Sequence, residues 1–192
     1  MLMTLRLSAC VVAALCVIAC GDPPNKEIDQ AQGAIDAARA AGADRYAATE
    51  YSAATDALKR AQDAVAQRDY RQALNEALDS REHAQNAARE AAETRAQLRG
   101  EVEREMAQIA ALIAEANTRL AAASRTRISR RVVDAQRREL AAVDDQVQKA
   151  GAAMKADDYL AARTELQGVR ERIQRAVRAL QPPAVQSSRR AR

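Results

Sequence analysis

The chain has 192 residues, of which about a quarter are Ala; Trp and Phe are absent and four Tyr are its only aromatic residues. Side chains this small pack thinly, which disfavours a compact globule around a large pocket and favours helices that lie close and share contacts along their length. Charged residues make up 29% of the chain with a formal net charge of +4, a mixed surface and not a strongly basic one.

The first nineteen residues read as a targeting segment. Arg6 and the amino terminus supply a weak positive region, and Leu7 to Ala19 supplies about thirteen mostly apolar residues, too few for an ordinary membrane-spanning helix. The stretch Leu15-Cys16-Val17-Ile18-Ala19-Cys20-Gly21 resembles a lipobox, the processing site of bacterial lipoproteins. The resemblance implies diacylglyceryl transfer to the Cys20 sulfur, cleavage after Ala19 and acylation of the new amino terminus. Ala19 suits a small peptidase pocket, and only a thiol offers the lipid donor a soft nucleophile. Val17 and Ile18 depart from the commonest form, Leu-Ala-Gly-Cys, and leave an ordinary secreted or signal-anchored protein as the alternative. Two or more acyl chains, at roughly 0.8 kcal/mol per buried methylene, hold a protein on a membrane far more firmly than one.

Cys10 and Cys16 fall in the discarded segment, so Cys20 is the sole cysteine of the processed chain and no intramolecular disulfide is expected. By the sorting rule of enteric bacteria, Gly21 in place of Asp implies an outer-membrane destination facing the periplasm, with the inner membrane as the alternative. Pro23 and Pro24 then make a short tether, after which Asn25 is placed to cap a helix.

Ile28, Ala31, Ile35 and Ala38 form a first apolar stripe that stops at Gly42. A second helix is predicted from Asp44 to Gln67, with Tyr51, Ala54, Leu58, Ala61 and Val65 on one face. Asp69 is placed to cap a third helix, with Gln72 at the partner position of a capping box and Tyr70, Leu74, Ala77, Arg81 and Ala84 as its first face. Val102, Met106, Ile109, Ile113, Ala116 and Leu120 continue it, and Gly100 is its weak point at about 1 kcal/mol relative to Ala. Running from Asp69 to about Ala123, this helix would reach roughly 80 Å. A reversal is expected at Ser124-Arg125-Thr126-Arg127, the alternative being a continuous helix. Val133, Gln136, Leu140, Val143, Val147, Ala150 and Met154 supply the next stripe, and Ala162, Leu166, Val169, Ile173, Val177 and Leu180 the last before Pro182.

An internal repeat organises these stripes. Tyr51, Leu58, Ala61, Val65, Asp69, Tyr70 and Ala73 map onto Leu140, Val147, Ala150, Met154, Asp158, Tyr159 and Ala162 at one constant offset of 89 residues. The simplest reading is one helix-turn-helix unit used twice, with Asp69 and Asp158 capping the return helices and Tyr70 and Tyr159 covering the corners. The corner Asp-Tyr-x-x-Ala also resembles the turn of tetratricopeptide repeats, with Arg68 and Asp157 in place of the usual Gly. The helices are longer than that repeat uses, however, and no 34-residue period appears.

Ala43-x-x-Tyr46, Tyr51-x-x-Ala54-x-x-x-Leu58-x-x-Ala61 and Asp69-Tyr70-x-x-Ala73 resemble an uncharacterised bacterial lipoprotein family catalogued as domain of unknown function number 4398. The resemblance runs from about Ile28 to Ala92. It implies a membrane-tethered periplasmic helical module and transfers no catalytic residue.

The expected organisation is a signal peptide over 1–19, a lipidated cysteine and tether over 20–26, a first helical hairpin unit over 27–99, a second hairpin or bundle unit over 100–181 and a basic tail over 182–192. The fold class is all-α, either elongated antiparallel hairpins or two three-helix bundles sharing a long central helix.

Chemistry-bearing residues are sparse. His83 is the only histidine, with Asp79 and Arg81 near it in sequence, which is poor material for zinc or a catalytic triad. Asp144-Asp145 and Asp157-Asp158 point about 100° apart on a helix, which suits surface charge or capping better than acid-base work. No cofactor, metal, small-molecule substrate or catalytic activity is expected. Arg125, Arg127, Arg130, Arg131, Arg137 and Arg138 form the strongest basic patch, which reads as a solvated helix face or as a contact for an anionic partner such as cell-wall polymer or lipid headgroups. Nucleic acid is disfavoured by export and by the lack of a stacking platform.

The expected role is a lipid-anchored structural or interaction protein. Its partners are membrane lipid through Cys20, a cell-envelope protein or peptidoglycan, and a second copy through the same apolar faces. A tetratricopeptide-like adaptor for an assembly or secretion complex is the alternative. An elongated particle is predicted, and small-angle scattering from a compact sphere would exclude it.

Overall fold

The computed structural model describes residues 22–126 and 128–181, which form helices and turns without a strand. Seven helices lie among the described residues: α1 (Asn25–Ala40), α2 (Ala43–Tyr46), α3 (Ala48–Ala66), α4 (Tyr70–Ala123), α5 (Arg130–Lys155), α6 (Tyr159–Leu166) and α7 (Val169–Ala179). None is long and apolar enough to cross a membrane. The chain divides into two compact units, up to Thr94 and from Arg95 onward. The fold is all-α, with three main helical segments in each unit and α4 common to both.

In the first unit, Ala31, Ile35 and Ala38 of α1 are buried and Ile28 packs beside them, as the stripe predicts. Asn25, expected as a cap, is instead the first helical residue; Pro24 holds the cap position and its carbonyl accepts from Ile28 N–H at 3.1 Å. Gly42 ends the segment at φ 83, where an added Cβ would lie 3.2 Å from the Tyr46 ring. The predicted helix from Asp44 to Gln67 is interrupted. Ala47 leaves helical geometry at φ −144, so a single turn, α2, precedes α3. The buried residues of α3 are Ala54, Ala57, Leu58, Ala61 and Ala64, while Tyr51 and Val65 lie at the edge of that face.

The long helix is continuous for 54 residues. Of the expected face Tyr70, Leu74, Ala77, Arg81 and Ala84, only Ala77 and Ala84 lie in the seam; Leu74 is exposed and Tyr70 and Arg81 are half-buried. The buried positions are Ala73, Ala77, Ser80, Ala84, Ala87 and Ala91, a regular alternation of four and three made of residues that hydropathy counting ranks low. Leu98, Val102 and Ile109 continue it, with half-buried Met106 between the last two. Two successive steps of four from Leu98 to Met106 break the heptad, a stutter that locally unwinds a seam. It falls at Gly100, where the alanine seam of the first unit gives way to the branched aliphatic seam of the second.

The second unit closes as expected around Val102, Ile109, Ala116, Leu140, Val143, Ala150, Ala162, Leu166, Val169, Ile173 and Ala176. Residues 124–126 form the reversal after α4, so the continuous alternative falls, and Ser129 in extended geometry precedes α5. The last stripe is carried by two helices rather than one. Gln167 is extended and Gly168 left-handed at φ 72, yet Leu166, Val169, Ile173, Ala176 and Leu180 all stay buried across the break.

The two corners match bond for bond at the 89-residue offset. Arg68 N–H donates to Val65 O at 2.9 Å and Asp69 N–H to Ala64 O at 2.9 Å; Asp157 N–H donates to Met154 O at 3.1 Å and Asp158 N–H to Ala153 O at 2.9 Å. Each is a Schellman helix end with its left-handed residue, Arg68 at φ 62 and Asp157 at φ 56, where glycine is usual. The next residue then caps the return helix: Asp69 Oδ1 accepts from Gln72 N–H and Asp158 Oδ1 from Ala161 N–H, both at 3.0 Å. The offset also carries the seam, pairing Ala77 with Leu166, Ser80 with Val169, Ala84 with Ile173, Ala87 with Ala176 and Ala91 with Leu180, all buried.

A side chain at left-handed φ costs about 1 kcal/mol that glycine does not pay. Arg68 is exposed and its substitution disturbs no packing. Arg68→Gly is therefore expected to raise stability by about 0.5–1 kcal/mol, read as a higher urea midpoint at unchanged slope, whereas Arg68→Ala should give no such gain.

Candidate functional site

The side chains singled out in the sequence fall into three groups. Cys20, the tail over 182–192 and Arg127 lie outside the described residues. The corner residues Asp69, Tyr70, Asp158 and Tyr159 come together as two copies of one turn. Of the basic patch, Arg125, Arg130, Arg131, Arg137 and Arg138 are all exposed at the start of α5 and the turn before it.

The corners differ in their tyrosines. Tyr70 is half-buried, whereas Tyr159 is 5% exposed and its hydroxyl donates to Asp157 Oδ1 at 2.6 Å. That hydrogen bond, then burial, then the Asp157 charge hold the Tyr159 phenol above its ordinary pKa, against the opposing pull of Arg99 and Arg95. A left-handed Asp157 thereby closes the corner onto the residue after its neighbour. In the first copy the equivalent position is Arg68, which cannot accept such a bond.

Several other polar side chains tie helix to helix. In the first unit, Ser80 Oγ donates to Ala54 O at 2.8 Å inside the seam. Arg60 pairs with Glu76 at 2.8 Å, and Arg39 Nε donates to Tyr51 OH at 2.7 Å with its guanidinium 5.8 Å from the ring centre. Arg81 donates to Gln30 at 2.8 Å. His83 Nδ1 lies 2.8 Å from Glu50 Oε2, so the lone histidine joins α4 to α3. Asp79 and Arg81, its neighbours in sequence, are not part of that pair. Among the described residues no three His, Cys, Asp or Glu side chains are grouped to hold a metal ion.

In the second unit Arg172 of α7 bonds Glu139 at 2.6 Å and also Gln146, spanning two turns of α5. The Arg172 hydrogen bond holds the Glu139 carboxyl below its ordinary pKa. Arg170 of α7 reaches Gln108 of α4 at 2.5 Å. Of the two predicted surface pairs, Asp158 is the cap and Asp157 the tyrosine acceptor, while Asp144 and Asp145 sit half-buried and exposed on α5.

Around the basic patch the structure adds what sequence spacing did not reveal. Ala123, Val133 and Leu180 pack together with Leu120 and Ile128 beside them, so the end of α4, the start of α5 and the end of α7 share one end of this unit. A cleft of about 410 Å³ opens between α5 and α7, lined by Gln136, Glu139, Arg172, Arg175 and alanines. On the other flank of α5 a recess of about 190 Å³ is lined by Ser124, Ile128, Arg130, Val133, Asp134 and Arg137. Arg175, exposed on α7, faces α5 across the cleft. The signal was available: counted outward from the corner at 156–158, Gln136 and Ala176 lie nearly equally far along antiparallel helices.

Within this end Asp134 pairs with Arg137 at 2.9 Å and Glu139 with Arg172. Arg125, Arg130, Arg131, Arg138 and Arg178 make no ion pair among the described residues.

The family model described as Domain of unknown function (DUF4398) matches residues 26–102, covering α1 to α3 and α4 as far as the first seam residue of the second core. No curated protein and no solved structure matches the chain.

Raising the Tyr159 pKa in the folded state means that the protonated phenol carries the stabilisation. That contribution is complete below the unfolded value near pH 10 and is lost as pH rises through the higher folded value. Urea midpoints measured from about pH 8 to 11 should therefore fall more steeply for the native chain than for Tyr159→Phe. Parallel curves would remove the Asp157 bond from the account.

Proposed function

Residues 26–102 match the family model described as Domain of unknown function (DUF4398), and from that premise we propose that the chain is a lipid-anchored periplasmic protein with a structural or interaction role. The carrying observation is where its distinctive side chains are spent. Asp69 and Asp158 cap return helices, Ser80 bonds a helix carbonyl, Tyr159 locks a corner, and His83 and Arg172 bridge helices. Groups engaged in holding helices support a scaffold that presents a surface, and no catalytic step belongs to this reading.

The anchor is Cys20 in the lipobox-like stretch Leu15 to Gly21, with the outer membrane favoured by Gly21. In the diacylglyceryl transfer the Cys20 sulfur attacks the glyceryl carbon of a phospholipid donor, the carbon–oxygen bond to the phosphate headgroup breaks, the headgroup leaves as a phosphate monoester, and the thiol gives up its proton to leave a thioether. The Pro23-Pro24 tether, non-helical over residues 22–24, separates α1 from the lipid. Partners of this reading are the membrane itself, another envelope protein or peptidoglycan, and a second copy of the chain.

One observation favours a second reading as a tetratricopeptide-like adaptor: both Asp-Tyr-x-x-Ala corners follow a left-handed residue, where that repeat has glycine. Crosslinking in intact cells separates the two, since an adaptor should trap an extended segment of a partner along the helices.

The anchor itself is tested by mass spectrometry of the chain purified from bacterial membranes. An amino terminus at Cys20 carrying diacylglyceryl and acyl groups is expected. Cys20→Ala should abolish acyl labelling and leave the leader uncleaved, whereas an unlabelled native chain cut elsewhere would overturn the proposal.

A further inference from the structure

Three features of the described residues lie outside the helix-holding set. Leu74 and Leu78 form an exposed pair on α4, but nothing indicates what covers them. A shallow acidic cleft lined by Glu50, Asn86, Arg89, Glu90 and Glu93 lies beside His83, and its Asn86 is already bonded to Arg89. The basic end of the second unit goes further, because separate elements converge on it.

We infer that the end of the second unit formed by the α4–α5 turn, the first turns of α5 and the last turns of α7 docks on an anionic phospholipid surface; this deepens, and rests on, the reading of the chain as a membrane-anchored interaction protein. Arg125, Arg130, Arg131 and Arg138 from the turn and α5 are exposed and make no ion pair among the described residues, Arg137 stands on the same face of α5 as Arg130, and Arg175 of α7 lines the cleft on the other side of α5. The acidic groups facing them are Asp134, which Arg137 engages, and Glu139, which Arg172 engages. Positive charge is therefore in excess after local pairing.

The arrangement fits headgroups better than a threaded polymer. The arginines are spread over a helix end and two helix faces, and the α5–α7 cleft that could thread a chain holds the Arg172–Glu139 pair. Arg130/Arg137 and Arg131/Arg138 are each seven residues apart, so two adjacent ridges of α5 both present guanidinium groups. Guanidinium pairs well with phosphate oxygens, and each basic side chain near an anionic leaflet adds to attraction that salt screens. Half-buried Ile128 and Val132 lie beside the arginines and supply modest apolar contact at headgroup depth. A lipid-held protein also meets a bilayer surface at high effective concentration, so individually weak contacts suffice.

The experiment uses the full chain, purified from membranes and held by its own amino terminus in phosphatidylcholine nanodiscs. Flotation with added vesicles of phosphatidylcholine, or of phosphatidylcholine with phosphatidylglycerol at about 7:3, reads binding to the second surface. Binding to the anionic vesicles alone is expected, lost near 0.5 M salt by the order of screening at that strength. The variant Arg130→Gln, Arg131→Gln, Arg137→Gln, Arg138→Gln should lower it about tenfold or more, with circular dichroism unchanged. Arg71→Gln with Arg104→Gln, exposed positions on α4, should leave it intact. Equal binding to neutral vesicles, or anionic binding that survives the fourfold variant, overturns the inference. Binding to isolated cell-wall sacculi in place of vesicles, lost in the same variant, assigns the surface to a polymer and also overturns it. The mass of the same preparation reports Cys20 acylation separately, so failure of the anchor and failure of the surface are told apart.

Discussion

Where α3 and α4 meet in the first unit, Ala54, Ala84, Ala87 and Ala91 share a core whose largest members are Ile35 and Leu58. Helix separation follows the side chains at the contact, so a seam of methyl groups admits close approach and little tolerance for added volume. Burying a methyl contributes less than burying a larger aliphatic group by about 1–2 kcal/mol per position. The same constraint explains why the polar ties of this unit, Ser80 to Ala54, Arg60 to Glu76, Arg39 to Tyr51 and His83 to Glu50, sit along helix contacts. Exposed ties of this kind are worth at most about 1 kcal/mol each, but they define register where apolar shape defines little.

The second unit solves the same geometry with different side chains. At the common offset, Ala77, Ser80, Ala84 and Ala91 become Leu166, Val169, Ile173 and Leu180, while Ala61, Ala73 and Ala87 keep alanine at Ala150, Ala162 and Ala176. Alanine is thus retained at the pairs nearest the corner, Ala61 with Ala150 and Ala73 with Ala162, and again at Ala87 with Ala176, while larger groups fill the seam positions between and beyond. The Gly168 break fits this pattern: the return helix is divided there, yet its buried positions hold their register.

The corners show how backbone chemistry was partly visible beforehand. Asp69 and Asp158 announced themselves as caps because a carboxylate before an Ala-rich helix has few other uses, and both accept the expected backbone N–H. The left-handed geometry of Arg68 and Asp157 was hinted at only by their occupying a glycine position. Leu74 misled, since large apolar side chains are expected inside, and here alanine and serine took the seam while Leu74 faces outward. When the core is alanine, hydropathy loses its contrast and periodicity alone must locate the face.

Sequence by itself determined the all-α class, the long helix ending before Ser124, the two corners and the last apolar stripe, because those rest on local periodicity, capping and a repeat that survives without coordinates. Tertiary structure decided which neighbours each polar side chain meets: His83 with Glu50, Arg172 with Glu139 and Gln146, and Arg175 across the cleft from Gln136 and Glu139 of α5. Those partners lie on other helices, and which turn faces which is settled only when antiparallel helices choose a register and close on one another.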